Sequence, residues 1–175
     1  TVLSRWLEVQ RTWSYLQPIF TGSEDIRMQL AEDSQRFDEI DVEFRAKLID
    51  FNKNPNVIAS ANIETLPPEL EGLQDKLTLC EKALLEYLET KRLVFPRFYF
   101  VSSADLLDIL SNGRDPQKVG KHLTKLFDSI AKLQMISNED GSQGKTAEKM
   151  IAKDGEVVDL DKMHYFVNFL NFPFT

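Results

Sequence analysis

The chain has 175 residues, enough for one domain with its own core, and its 42% hydrophobic and 28% charged fractions are those of an ordinary water-soluble globular chain. Its formal net charge of -7 and pI of about 4.9 argue against nucleic acid as a partner, because an acidic surface repels phosphate backbones. The same repulsion disfavours direct docking on an acidic filament or membrane surface.

Cys80 is the single cysteine, so no internal disulfide can form, which fits a reducing compartment. The first residues lack the basic start and apolar run of a signal peptide. No apolar run approaches the ~20 residues of a transmembrane helix. The first residue is Thr1 rather than Met, and the chain is expected to be a segment of something longer.

In chain order, Val2, Trp6, Val9, Trp13, Leu16 and Phe20 recur at steps of four and three, one face of a helix. Pro18 disfavours helical geometry at Gln17 and predicts that the regular helix stops near there. Thr21-Gly22-Ser23-Glu24 fits a capping box, with Thr21 as the cap of a helix running through Met28 and Leu30. A break is expected near Asp33-Ser34. Phe37, Ile40, Phe44, Leu48 and Phe51 then continue a helical stripe. Asn52-Lys53-Asn54-Pro55-Asn56 ends it with turn-forming residues.

The longest helix is predicted over 67–92. Leu66, Leu70, Leu73, Leu77, Cys80, Leu84 and Leu88 form its apolar stripe. Prolines suit its first turn, and Glu69 and Glu71 near its start with Lys91 and Arg92 at its end complement the helix dipole. At ~1.5 Å per residue it would be roughly 39 Å long. Residues 95–101 are aromatic and β-branched, follow a helix-blocking Pro96, and read as a short strand. Ser102 or Ser103 caps a helix through Leu110 that Asn112-Gly113 stops. Asp115-Pro116 opens another, with Val119, Leu123, Leu126, Phe127 and Ile130 as its core face. Residues 133–136, 147–152 and 156–160 read as short strands, with Lys153-Asp154-Gly155 as a hairpin turn. Residues 137–145 read as a polar, mobile loop. The fold class is therefore mainly α: an elongated multi-helix bundle with a short aromatic strand near 95–101 and a small β-hairpin region near 133–160.

No catalytic, cofactor-binding or metal-binding residue stands out. Gly144-Lys145-Thr146 ends like a phosphate-binding P-loop. That motif needs glycine at position 139, where Glu139 would set charge against charge, and it needs a helix afterwards rather than a strand. His122 and His164 lack metal-site spacing, and His122 reads as a partly exposed structural histidine. Cys80 lies on an apolar face and reads as an inert core thiol. The acidic residues Glu24, Asp25, Glu32, Asp33, Asp38, Glu39, Asp41 and Glu43 read as a solvated face rather than a catalytic pair. Phe95, Phe98, Tyr99 and Phe100 read first as core and second as a stiff joint between two helical blocks, with Arg97 stacked on a ring or paired with a carboxylate. On that reading both Phe98 and Phe100 are expected to be buried.

Three blocks carry a family resemblance. Trp6-x-x-Val9-Gln10-x-x-Trp13-x-Tyr15-Leu16-x-x-Ile19-Phe20 opens it. Tyr87-Leu88-Glu89-x-Lys91-Arg92-x-x-Phe95-Pro96-Arg97-Phe98-Tyr99-Phe100 is its strongest part, and Asp105-Leu106-Leu107-x-Ile109-Leu110-Ser111 continues it. Together they resemble the linker region of dynein heavy chains, N-terminal region 2. The wording Val101-Ser102-Ser103-Ala104-Asp105 is closer to axonemal than to cytoplasmic members. The resemblance covers roughly residues 3–160. From Asp161 the chain departs from it into the aromatic sequence 161–175, a divergent tail that would be an aggregation liability if exposed.

The resemblance implies a mechanical, non-enzymatic part of a microtubule motor. In that family the linker arches over a ring of AAA+ modules and bends and straightens as ATP is bound and hydrolysed. It implies ATP and magnesium in the parent motor and no cofactor in this stretch. The implied partners are the AAA+ ring of the same heavy chain and other dynein subunits, with microtubules reached only through the parent. The implied location is the cytoskeleton, and the axoneme of a cilium or flagellum in particular. The alternative is a helical scaffold or interaction module without motor activity.

Overall fold

The computed structural model describes residues 1–53, 56–113, 115–137 and 143–165. Asn54 and Pro55 of the expected turn, Glu139 and the central part of the 137–145 loop, and the aromatic residues 166–175 lie outside the described residues. The chain divides into two compact units, Thr1–Tyr87 and Leu88–Thr175. Among the described residues the fold is mainly helical with a small three-stranded antiparallel sheet, as its periodicities predict.

In the first unit, α1 (Val2–Gly22), α3 (Ala31–Lys53) and the first part of α5 (Leu66–Val94) supply the core. Val9, Leu16 and Phe20 of α1 are buried, as are Phe37, Ile40 and Phe44 of α3. Phe20 stacks on Phe37 at 5.2 Å, Trp6 meets Phe51 edge-on at 4.5 Å, and Trp13 tilts against Phe44 at 5.2 Å. Such aromatic pairs contribute about 0.5–1.5 kcal/mol each beyond the area they bury. Polar contacts rim the apolar seam: Arg5 pairs with Glu71 at 3.4 Å, Lys76 with Glu43 at 3.3 Å, and Lys47 with Glu69.

Three sequence expectations in this unit change. First, α1 does not stop at Gln17; it runs through Pro18 to Gly22. Proline removes one helix hydrogen bond, whereas stopping there would unseat Phe20 from its stack, and the packing wins. Second, Thr21 is not the cap. Its hydroxyl turns back to donate to the Gln17 carbonyl at 2.7 Å. Ser23 caps α2 (Glu24–Gln29) instead, its Oγ accepting from the Ile26 amide. Third, the break falls at Leu30, whose backbone leaves the helical region, and not near Ser34, which is buried inside α3. A short helix that periodicity did not reveal, α4 (Val57–Ala61), is capped by Asn56, whose Oδ1 accepts from the amides of Ile58 and Ala59 at 3.1 Å each.

The α5 stripe was fully legible: Leu66, Leu70, Leu73, Leu77, Cys80, Leu84 and Leu88 are all buried. In the second unit, residues 95–101 depart from the strand expectation. Pro96–Phe100 is a 3-10 turn, with Phe98 N–H donating to the Phe95 carbonyl at 2.9 Å. The fixed φ of Pro96 suits the first position of such a turn. Aromatic and β-branched residues favour strands only where a pleated neighbour takes them, and the sheet of this chain is built elsewhere.

Helix α6 (Ser103–Ser111) starts as expected. Ser102 Oγ accepts from the Asp105 amide at 3.1 Å and donates to Asp105 Oδ2 at 2.8 Å. The next helix is split. α7 (Pro116–Gly120), capped by Asp115, is separated from α8 (Leu123–Leu126) at Lys121-His122, and Ile130 belongs to a strand. Gly120 is a poor helix former, and the His122 ring is engaged with α6.

The strands are β1 (Ile130–Ser137), β2 (Gln143–Ala152) and β3 (Val157–Tyr165), paired in sequence order. They are longer than the expected 133–136, 147–152 and 156–160. Ile130 pairs with Ala152 and Thr146 with Tyr165. The 153–155 turn is as predicted: Gly155 adopts φ of 91°, and the Ala152 amide donates to the Glu156 carbonyl at 2.9 Å. Lys149 and Asp159, partners across β2 and β3, form an ion pair at 3.1 Å.

Candidate functional site

The distinctive chemistry of the second unit gathers where α5 ends. Phe98 is 3% exposed and meets Phe95 edge-on at 4.9 Å. Arg97 leaves the 3-10 turn on the other side. Its Nη1 donates to the Leu126 carbonyl at 3.0 Å, and its guanidinium lies 4.6 Å from the centre of the Phe127 ring. One side chain therefore satisfies the end of α8 and stacks beside it. Arg92, in the last turn of α5, donates to Ser103 Oγ at 3.0 Å and so ties α5 to the first residue of α6. The Tyr99 hydroxyl donates to Glu89, and that bond holds the phenol above its ordinary titration range.

Beside these hydrogen-bonded and buried groups the corner also carries exposed apolar ones. Tyr99 is 53% exposed and Phe100 73%, and Leu93 and Val94 are exposed beside them in sequence. The expectation that Phe98 and Phe100 are both core residues holds for Phe98 alone. In a strand, alternate residues share a face. The 3-10 turn, with three residues per turn, instead sends Phe100 outward.

A second cluster joins α6 to the α7–α8 corner. The His122 side chain is only 10% exposed. Its Nε2 lies 2.8 Å from Asp108 Oδ2, and its Nδ1 lies 3.5 Å from Asp105 Oδ1 without forming a hydrogen bond. Lys125 Nζ donates to Asp105 at 2.8 Å. Hydrogen bonds from Lys125 first, and then from Ser102, hold the Asp105 carboxyl below its ordinary range. His122 is thus more buried than its reading as a partly exposed residue implied. The sequence signal was present only in half: Asp105 and Asp108, three apart, share one face of α6, but nothing local says which cation faces them.

The remaining candidates do not converge. Gly144, Lys145 and Thr146 lie in strand β2, and Thr146 is buried there; the strand continues to Ala152, where a P-loop would run into a helix N-terminus that holds the phosphate. His164 lies in β3, paired in register with Ala147. Cys80 is buried, with its Sγ 3.7 Å from the Asp33 carbonyl. Burial pushes the thiol up and the nearby Arg36 charge only partly opposes it, so the group is a poor nucleophile. Several acidic residues of α2 and α3 are held by separate partners rather than by one another. Asp38 takes a two-point clasp from Arg27 at 2.7 and 3.0 Å, Asp41 accepts from Trp13 Nε1 at 2.9 Å and from Arg45 at 2.7 Å, and Asp33 pairs with Arg36. Arg27 also caps the Phe20 carbonyl at 3.0 Å, a link that the sequence did not reveal. Among the described residues, no group of three or more His, Cys, Asp or Glu side chains is placed to hold a metal ion, and no helix is long and apolar enough to cross a membrane.

A cavity of about 370 Å³ opens in the first unit beside Val2, Trp6, Leu48, Phe51, Val57 and Leu66. Its walls are apolar apart from Asn52 and Ser60, and they bring no acid–base pair together.

Comparison with known proteins places these features in context. The family described as "Dynein heavy chain, N-terminal region 2" matches residues 1–170. The chain is 57% identical over 162 residues to "Dynein beta chain, ciliary" of Tripneustes gratilla and 59% identical over 162 residues to "Dynein axonemal heavy chain 17" of Mus musculus. Each match covers 93% of this chain and 4% of the relative. It is 49% identical over 158 residues to "Dynein beta chain, flagellar outer arm" of Chlamydomonas reinhardtii, covering 90% of this chain and 4% of that relative. The chain thus spans about one twenty-fifth of the length of these relatives, a share of 4% in each case.

Proposed function

Because the chain belongs to the dynein heavy chains, through their N-terminal region 2, we propose that it is part of the linker of an axonemal microtubule motor. In this reading residues 1–160 are a mechanical, non-catalytic element. They couple ATP-driven changes in the AAA+ ring of the same heavy chain to movement. ATP and magnesium act elsewhere in that heavy chain, and microtubules are reached through it. The place of action is the axoneme of a cilium or flagellum, as the names of the relatives suggest.

The observation that carries the reading is the corner at the end of α5. A force-bearing element needs helical blocks joined without slack. Here Arg97 fixes the 3-10 turn to the end of α8, Arg92 fixes α5 to α6, and Phe98 is buried with its ring against Phe95. The exposed Leu93, Val94, Tyr99 and Phe100 beside it are the surface we assign to contact with the ring.

The test separates mechanics from catalysis. In the whole heavy chain, Arg97→Ala should slow microtubule gliding more than it slows ATP turnover, because it loosens transmission and leaves the chemistry in place. Equal loss of both, or of neither, would overturn the lever reading. The isolated chain should show no saturable ATP turnover. Turnover abolished by Lys145→Ala would establish a nucleotide enzyme instead.

A further inference from the structure

His122 sits where a neutral imidazole is poorly served. A neutral ring carries one N–H and one acceptor nitrogen, whereas an imidazolium carries two N–H donors. Both ring nitrogens here point toward carboxylates of α6: Nε2 toward Asp108 at 2.8 Å and Nδ1 toward Asp105 at 3.5 Å. If Nε2 donates to Asp108, a neutral ring leaves Nδ1 as a buried acceptor facing the acceptor oxygen of Asp105. That arrangement is unfavourable twice over, because the nitrogen has lost water and faces like polarity. The added proton removes both penalties and lets the second contact close.

The neighbouring charges are accounted for. On α6, Asp105 also accepts from Lys125 of α8 and from Ser102, and Asp108 also accepts from Asn112 at 2.9 Å. On α7, Lys118 donates to Asn112 at 2.9 Å and lies 4.0 Å from its neighbour Asp115. Lys125 is the cation that competes for Asp105, and Asp108 has no ion pair other than His122 among the described residues.

We propose that His122 is a proton-dependent latch: its imidazolium, held between Asp105 and Asp108, fastens the α7–α8 corner to α6, and loss of the ring proton loosens that corner. The sign follows from the two kinds of group. The carboxylates must be ionised, so acid removes the latch from one side. The ring must be charged, so base removes it from the other. Imidazole is the side chain suited to such a change near neutrality. The device is local to the second unit and holds whether or not the linker reading is correct.

The chain has two histidines, so a His164→Gln background leaves one imidazole to observe. Ring ¹⁵N spectra between pH 5.5 and 8.5 should show both His122 nitrogens protonated at the acid end and one at the alkaline end. Over the same range, amide exchange across 103–126, corrected for intrinsic rates, should accelerate about tenfold or more as the charge-assisted bond is lost. Asp108→Asn should flatten that pH response, and Asp105→Asn should flatten it in part. A single N–H at pH 5.5, or an identical pH response in wild type and both Asp variants, would overturn the latch. If either Asp variant fails to fold, the ring spectra of the His164→Gln chain decide alone.

Discussion

Arg97 and Leu126 are joined by a 3.0 Å hydrogen bond from the Arg97 guanidinium to the Leu126 backbone carbonyl. The carbonyl stands at the end of α8, where helix geometry leaves oxygens without partners. Arg97→Leu should therefore cost about 1–3 kcal/mol in chemical denaturation, the penalty for orphaning a partly buried polar group. Arg97→Lys should recover only part of it, because an ammonium reaches the oxygen without the planar stack on Phe127. Equal stability of all three chains would show that the bond contributes nothing.

Phe98 and Phe100 should separate cleanly. Phe98→Ala empties a buried site and should destabilise the second unit by about 3–5 kcal/mol. Phe100→Ala removes an exposed ring and should change stability by no more than about 0.5 kcal/mol. Urea titrations followed by circular dichroism measure both. Matching large losses would return Phe100 to the core.

Acid should act on the Arg27–Asp38 clasp. The hydrogen bond from Arg27, more than its charge, lowers the Asp38 carboxyl below its ordinary value. A depressed carboxyl contributes stability above its unfolded titration point, and that contribution is lost as pH falls through the folded one. Asp38→Asn should therefore flatten the acid limb of the stability–pH curve of the first unit and leave the slope above neutrality unchanged. The effect is small because the pair is exposed enough for water and salt to screen it.

Cys80 should be chemically silent in the folded chain. Burial both hides the thiol and raises its titration point. Its labelling by a thiol reagent should be slower by on the order of a hundredfold or more than in urea, limited by opening of the first unit. Rapid, stoichiometric labelling without denaturant would contradict that burial.

What could be read from the sequence followed from how local each signal was. The α5 stripe needed only its own period, and every position in it is buried. The Ser102 cap and the Gly155 turn were legible because the residues that make them lie within a few positions of one another. The extent of α1 was not, because whether Pro18 ends a helix depends on what Phe20 gains from Phe37 on another helix. The 95–101 segment misled for a related reason: its composition suits a strand, but a strand needs a partner and Pro96 favours a turn. The resemblance in Phe95-Pro96-Arg97-Phe98-Tyr99-Phe100 identified the family without fixing the local geometry. The His122 cluster lay furthest from view, since its ring and its carboxylates come from helices that only the tertiary structure brings together.

Both tryptophans of the chain, Trp6 and Trp13, lie on α1 in the first unit. Indole fluorescence therefore originates wholly within Thr1–Tyr87, whereas far-ultraviolet dichroism sees the helices of both units. Coincident melting curves from the two probes would mean that α5 carries unfolding across the Tyr87–Leu88 boundary as one cooperative event. Separated curves would reveal two domains in the thermodynamic sense, sharing a helix but not a transition.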